Sequence, residues 1–249
     1  MKRFAPGLAL ALVACLAAPI LVRALPLEPG RDTGSAALPR PGTFLLPAPD
    51  QDMPAATTRM QTAIFAGGCF WGIQGVFQHV DGVTATLAGY DGGDAATARY
   101  AQVSEGTTGH AESVKVVYDP SKVTYGQLLR IFFSAALDPT ERNQQYPDHG
   151  TQYRSVLFTL DAAQARVARA YIAQIDAGRL YAGPIATEVV PDRGFHAAEP
   201  HHQNFLASFP DNSYIATYDQ PKLLALHSLF PSAWHPQPVL TLASDTPRS

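Results

Sequence analysis

Apolar residues between Thr62 and Val190 recur with two different periods, and the switches between them divide the chain into strands and helices. Ala63 to Ala66 is a short apolar run that predicts a buried strand, and Gly67-Gly68 turns the chain after it. Phe70, Trp71, Ile73, Val76 and Phe77 then follow helical spacing. Val83 to Tyr90 is strand-like and ends at the turn signal Asp91-Gly92-Gly93; Ser113 to Tyr118 alternates and stops at Asp119-Pro120. Thr124 and Gln127 have the spacing of a capping box ahead of the apolar helix Leu128 to Phe133, which Asp138-Pro139 ends. Asn143 to Gly150 is a polar loop and Arg154 to Leu160 a strand. Asp161 with Gln164 repeats the capping pattern before a long Ala-rich helix ending near Gly178, and Ile185 to Val190 is the last predicted strand. The alternation predicts an α/β or α+β domain with helices packed on a sheet.

Outside this region the pattern changes. Lys2 and Arg3 precede an apolar run from Phe4 to Val22, the form of a secretory signal. Three readings stay open for residues 1–24: cleavage after Ala24, lipidation at Cys15 within Leu12-Val13-Ala14-Cys15, or a retained membrane anchor. All three place the protein outside the cytoplasm, in the periplasm or cell envelope. Residues 25–60 are rich in Pro and Ala without periodicity and read as a linker. The catalytic domain is expected over residues 61–220, followed by a C-terminal tail, 221–249, that turns Pro-rich and frays from about residue 232.

Composition narrows the chemistry. The 249 residues carry a formal net charge of −3 and no basic stripe, which argues against nucleic-acid binding. The only cysteines are Cys15 and Cys69. With the leader removed, an intrachain disulfide or a cysteine zinc site is excluded. Cys69 is then a buried small hydrophobe, a mixed-disulfide partner or a reactive thiol. Its position after Gly68, where a strand hands over to a helix, favours the thiolate through free N–H groups and the helix dipole. Gly68 and Gly72 leave room for close approach, and Phe70 and Trp71 offer an apolar wall. His196, His201 and His202 lack the spacing of a metal site.

Gly68-Cys69-Phe70-Trp71-Gly72 resembles the signature of the A-type peptide methionine sulfoxide reductases. Gly89-Tyr90 with Gly92-Gly93, Tyr100, Gly109-His110-Ala111-Glu112, Asp138-Pro139-Thr140, Asp148 with Gly150 to Ser155, Ala198-Glu199 and His202-Gln203 follow in the family's order. The resemblance covers roughly residues 62–220. It implies an α+β two-layer sandwich: a mixed sheet with packed helices and the catalytic cysteine at a strand-to-helix junction. It also implies reduction of methionine sulfoxide, free or in proteins, with preference for the S epimer. Cys69 is then the nucleophile that becomes a sulfenic acid, and Glu112 the proton donor. Tyr100 and Tyr153 donate hydrogen bonds to the sulfoxide oxygen, Asp148 serves recycling, and Phe70 and Trp71 hold the S-methyl group. No cofactor or metal is implied, only an external thiol reductant: a thioredoxin-like protein, glutaredoxin, glutathione or another dithiol. The enzyme is expected to be a monomer.

The sequence departs from the pattern in places. Leu137 stands where His is frequent, Gln144 and Tyr146 replace Arg and Gly, and His196 and His201 stand where Tyr is common. The resolving cysteines that many members carry near the C-terminus are absent, leaving a single-cysteine form. Two other function classes fit Cys69 taken alone. A cysteine hydrolase or acyltransferase needs His110 or His149 as its base, and a thiol sensor predicts oxidation without turnover.

Overall fold

The structure is a computed structural model that describes residues 44–54 and 60–241. The leader, Cys15 and the cleavage position after Ala24 lie outside the described residues. Among those described, no helix is long and apolar enough to cross a membrane.

Six strands form one mixed sheet in the order β7-β6-β1-β3-β2-β8: β1 Gln61–Ala66, β2 Val83–Asp91, β3 Ala111–Tyr118, β6 Val156–Thr159, β7 Glu188–Pro191 and β8 His196–Ala197. All pairings are antiparallel except β6 with β7. The two-residue strands β4, Gln144–Gln145, and β5, Asp148–His149, form a separate small hairpin inside the predicted polar loop. The α+β sandwich is therefore present, with the strand-to-helix handover at Cys69.

The helices are α1 Phe70–Gln78, α2 Tyr100–Val103, α3 Tyr125–Ile131, α4 Ala162–Ala177, α5 Phe205–Ser208 and α6 Gln220–Leu229. The capping box at Thr124 and Gln127 forms in full. Asp161 caps α4 by accepting from the Gln164 N–H, while the Gln164 amide reaches the Thr62 carbonyl of β1. Helix α3 does not end after its last α-helical turn: Phe132–Ala136 continues it as a π-helical segment, entirely buried. Helix-on-sheet packing accounts for the main core, in which Phe65 of β1 meets Phe77 of α1 and Phe132 with ring centroids 4.6 and 5.2 Å apart.

Two stretches differ from what composition predicts. Residues 44–54, inside the expected linker, lie on the domain: Leu46 is fully buried, its carbonyl accepts from Arg130 at 2.7 Å, and the Pro47 and Ala48 carbonyls accept from Tyr171 and Gln174. A Pro-rich segment without periodicity still offers its carbonyls to side-chain donors. Residues 221–241, inside the expected tail, begin within α6; Trp234 stacks on His79 at 4.6 Å and Thr241 is buried against the Thr86 carbonyl. Burial against α1 and β2 orders this segment, which no local pattern announces.

Candidate active site

The site is assembled at the N-terminus of α1. Gly68, at φ +90°, makes the turn from β1; a Cβ there would stand 2.6 Å from the Gln145 side chain. Glycine is thus required for both conformation and space. Cys69 follows as the N-cap residue of α1, with 8% of its surface exposed and no disulfide partner. Burial pushes its thiol well above the ordinary value, and the negative charges of Glu112 and Asp219 add to the rise. The Trp71 N–H and Lys222 oppose it without prevailing. The expectation that the helix N-terminus yields a resting thiolate is therefore corrected: desolvation outweighs the local dipole, and the resting group is a thiol.

Glu112 lies on β3, directly opposite Tyr90 of β2, and is 3% exposed. Its carboxylate accepts the Phe70 N–H at 3.0 Å, so it sits beside the first turn of α1. Burial raises its pKa to about 8; the Phe70 N–H pulls down, and the charges of Asp148 and Asp219 push up. At neutral pH the group is a buried acid with a proton to give.

Tyr100 opens α2 and Tyr153 closes a 3-10 turn, Thr151–Tyr153. Burial, followed by the charge of Glu112, raises both phenols, so both keep their hydroxyl protons at neutral pH. Their elements are tied together. Thr151 donates to the Gly106 carbonyl at 2.6 Å, Gln152 to the Ser104 carbonyl at 2.9 Å, and Arg154 to the Gly109 and His110 carbonyls at the start of β3. Glu199 holds α2 from the other side, accepting from the Tyr100 N–H at 3.0 Å and the Tyr90 hydroxyl at 2.9 Å.

Phe70 is buried in the core, while Trp71 is partly exposed. The Trp71 indole stacks on Phe205 at 3.7 Å, meets Tyr214 edge-on at 6.0 Å, and donates to His202 Nδ1 at 3.3 Å. An indole N–H only donates, so His202 carries its own proton on Nε2. Burial lowers the His202 pKa to about 4, which keeps the ring neutral. Asp148, on β5, accepts a short hydrogen bond from the Tyr214 hydroxyl.

The structure thus brings Cys69, Glu112, Tyr100, Tyr153, Asp148, Phe70 and Trp71 around one helix terminus. Both tyrosines feel the charges of Glu112, Asp148 and Cys69, and Glu112 feels that of Asp148. Tyr214, which with Pro210 keeps the family's local pattern, joins the site, and two further contributors, Asp219 and Lys222, carry no signal in the linear sequence. Asp219 is fully buried and paired with Lys222 at 2.9 Å. The pair occupies the space beside Gly72, where a Cβ would be 2.1 Å from Asp219 Oδ1, so that glycine admits this ion pair and not a substrate. Of the two histidines of the hydrolase reading, His110 is not free to serve as base. His110 is engaged at both nitrogens by Gly93 and Asp94, and His149 is exposed and bound to Gln144. No group of three His, Cys, Asp or Glu among the described residues is placed to hold a metal.

A family model described as peptide methionine sulfoxide reductase matches residues 61–231. The chain belongs to this family. It is 52% identical over 184 residues to peptide methionine sulfoxide reductase MsrA 2 of Mesorhizobium japonicum, covering 74% of this chain and 94% of the relative. It is 47% identical over 186 residues to the MsrA 2 protein of a Synechocystis species, covering 74% and 87%. Among solved structures, methionine sulfoxide reductase A of Corynebacterium diphtheriae aligns with a TM-score of 0.55 at 32% identity over 70% of this chain and 87% of that one. Reduced Mxr1 of Saccharomyces cerevisiae aligns with a TM-score of 0.56 at 30% identity, over 64% and 91%. Peptide methionine sulfoxide reductases are oxidoreductases, and membership decides between the open function classes: the sensor and hydrolase readings are not favoured.

Proposed function

We propose that this protein reduces the S epimer of methionine sulfoxide, in damaged proteins or free, with Cys69 as nucleophile. The observation that carries the mechanism is the buried, protonated Glu112 beside the N-terminus of the helix that Cys69 caps. Cys69 sulfur bonds to the sulfoxide sulfur while Glu112 gives its proton to the oxygen and takes up the thiol proton. Tyr100 and Tyr153 donate hydrogen bonds to that oxygen as its charge develops. Collapse transfers the hydroxyl to Cys69, giving a sulfenic acid, and releases methionine. Trp71, held by Phe205 and His202, forms the wall for the S-methyl group together with Phe70.

Cys69 is the only cysteine of the matched domain. A first external thiol therefore attacks the sulfenic sulfur, releasing water and leaving a mixed disulfide; a second thiol frees Cys69. The hydrogen bond from the Tyr214 hydroxyl to Asp148 supports a part for Asp148 in this recycling. The basic start and apolar run of residues 1–24 support export to the periplasm or envelope, which fractionation and N-terminal mass analysis test.

The direct test incubates the full chain with each sulfoxide epimer and excess small dithiol and quantifies methionine. Turnover of the S epimer alone is expected, and Cys69→Ser abolishes it. Turnover of neither epimer by folded protein overturns the reading.

A further inference from the structure

A run of aromatic rings leaves the site in two directions from Trp71. On one side Trp71 stacks on Phe205 at 3.7 Å, and Phe205 packs on Phe209 at 4.8 Å, with Phe209 53% exposed. On the other, Trp71 meets Tyr214 at 6.0 Å, Tyr214 packs on Tyr218 at 5.1 Å, and Tyr218 meets Tyr146 edge-on at 5.8 Å. Tyr146 is 73% exposed and lies two residues before Asp148. The row is exposed at its two ends, Phe209 and Tyr146, while Phe205, Tyr214 and Tyr218 between them are partly buried; an exposed apolar patch that continues into a site marks a place where something binds.

We propose that these two arms are a docking surface for an extended segment of a polypeptide substrate, and that Phe209 and Tyr146 select apolar or aromatic residues flanking its methionine sulfoxide. The inference rests on the reductase reading above. Its occupant follows from continuity: Trp71 walls the position of the sulfoxide side chain, so the chain attached to that side chain passes over the rings beside it. An extended peptide rises about 3.3 Å per residue. The ring spacings therefore bring Phe209 within reach of a side chain about two or three residues away, and Tyr218 and Tyr146 within reach of ones somewhat farther on the other side. Aromatic rings recognise such neighbours by area and stacking without demanding one sequence, which suits an enzyme whose substrates share only a damaged methionine.

The test measures kcat/KM of the full chain with small dithiol on three substrates of the S epimer: N-acetyl methionine sulfoxide methylamide, a peptide with Phe or Leu around the sulfoxide, and the same peptide with Ser at those positions. The apolar peptide is expected to exceed the Ser peptide by about tenfold, a loss of contact worth one hot-spot side chain. In the double variant Tyr146→Ser, Phe209→Ser the ratio between peptides falls toward one while the methylamide keeps its wild-type kcat/KM. Equal rates for the two peptides with wild-type protein overturn the surface and leave the reductase reading intact. A parallel fall on the methylamide in the double variant also overturns it, since the rings would then act on the site itself. Absence of turnover on all three substrates overturns the reductase reading and this inference with it.

Discussion

At the scale of single residues, burial sets the chemistry more than sequence neighbours do. Glu112 at 3% exposure holds its proton up to about pH 8. The single-turnover rate is therefore expected to be flat below pH 7 and to fall as pH rises through about 8, where Glu112 ionises; a rate that rises there would remove Glu112 as the acid. Glu112→Gln should slow this step by roughly 10²- to 10⁴-fold, with thiol recycling less affected, measured by methionine released in one turnover without reductant. The same shift has a stability consequence. A carboxyl raised in the folded state stabilises fully below its unfolded pKa, and that contribution is lost as pH rises to about 8. Urea titrations should thus show Glu112→Gln gaining on the wild type between pH 5 and pH 9, and a constant difference would contradict it. Gly72 makes a second residue-scale case. Gly72→Ala places a Cβ against the buried Asp219–Lys222 pair, and breaking such a pair costs about 3–5 kcal/mol; chemical denaturation reads that loss. The glycine itself was legible in the sequence, but what fills its space comes from a helix almost 150 residues away and has no local signature.

At the scale of elements, the parts with a strong local code formed where the periodicity put them. Helix α3 with its capping box and the long helix α4 behind Asp161 each combine a start signal with an apolar face, while α1 follows its apolar spacing without a side-chain cap. Elements held by tertiary partners were not legible: β8, only two residues long, exists through its pairing with β2, and α5 through its packing on α1. The N-terminus of α3 shows a local signal completed from afar. Besides its own Thr124 cap, it receives Asp52, which accepts the Gly126 N–H at 2.8 Å and the Thr124 hydroxyl. Asp52→Ala is expected to cost about 1 kcal/mol, the worth of a helix cap, read from the urea midpoint; no change would mean that the Thr124 box alone satisfies this helix end.

At the scale of the whole molecule, the site is a meeting of distant segments. Cys69 comes from the β1–α1 turn, Glu112 from β3, Asp148 and Tyr153 from the loop before β6, and Tyr214 from the N-cap position of the π-helical segment Ile215–Asp219 that leads into α6. The segment 44–54 belongs to the same body: Leu46 is fully buried among the helices and Tyr171 donates to Pro47. Leu46→Ala is therefore expected to cost about 2–5 kcal/mol, lowering Tm with little change in the rate of sulfoxide reduction, since Leu46 makes none of the contacts that build the site. An unaltered Tm would show that this segment rests on the domain without stabilising it. The sequence by itself determined the family and the strand-to-helix placement of Cys69, because those depend on motifs and short-range periodicity. Only the tertiary structure decided that Cys69 rests as a thiol, that Asp219 and Lys222 lie under Gly72, and that residues 44–54 and 221–241 are part of the fold. Desolvation, ion pairing and packing of unpatterned chain all depend on which distant groups surround a residue, and no local run of amino acids records that.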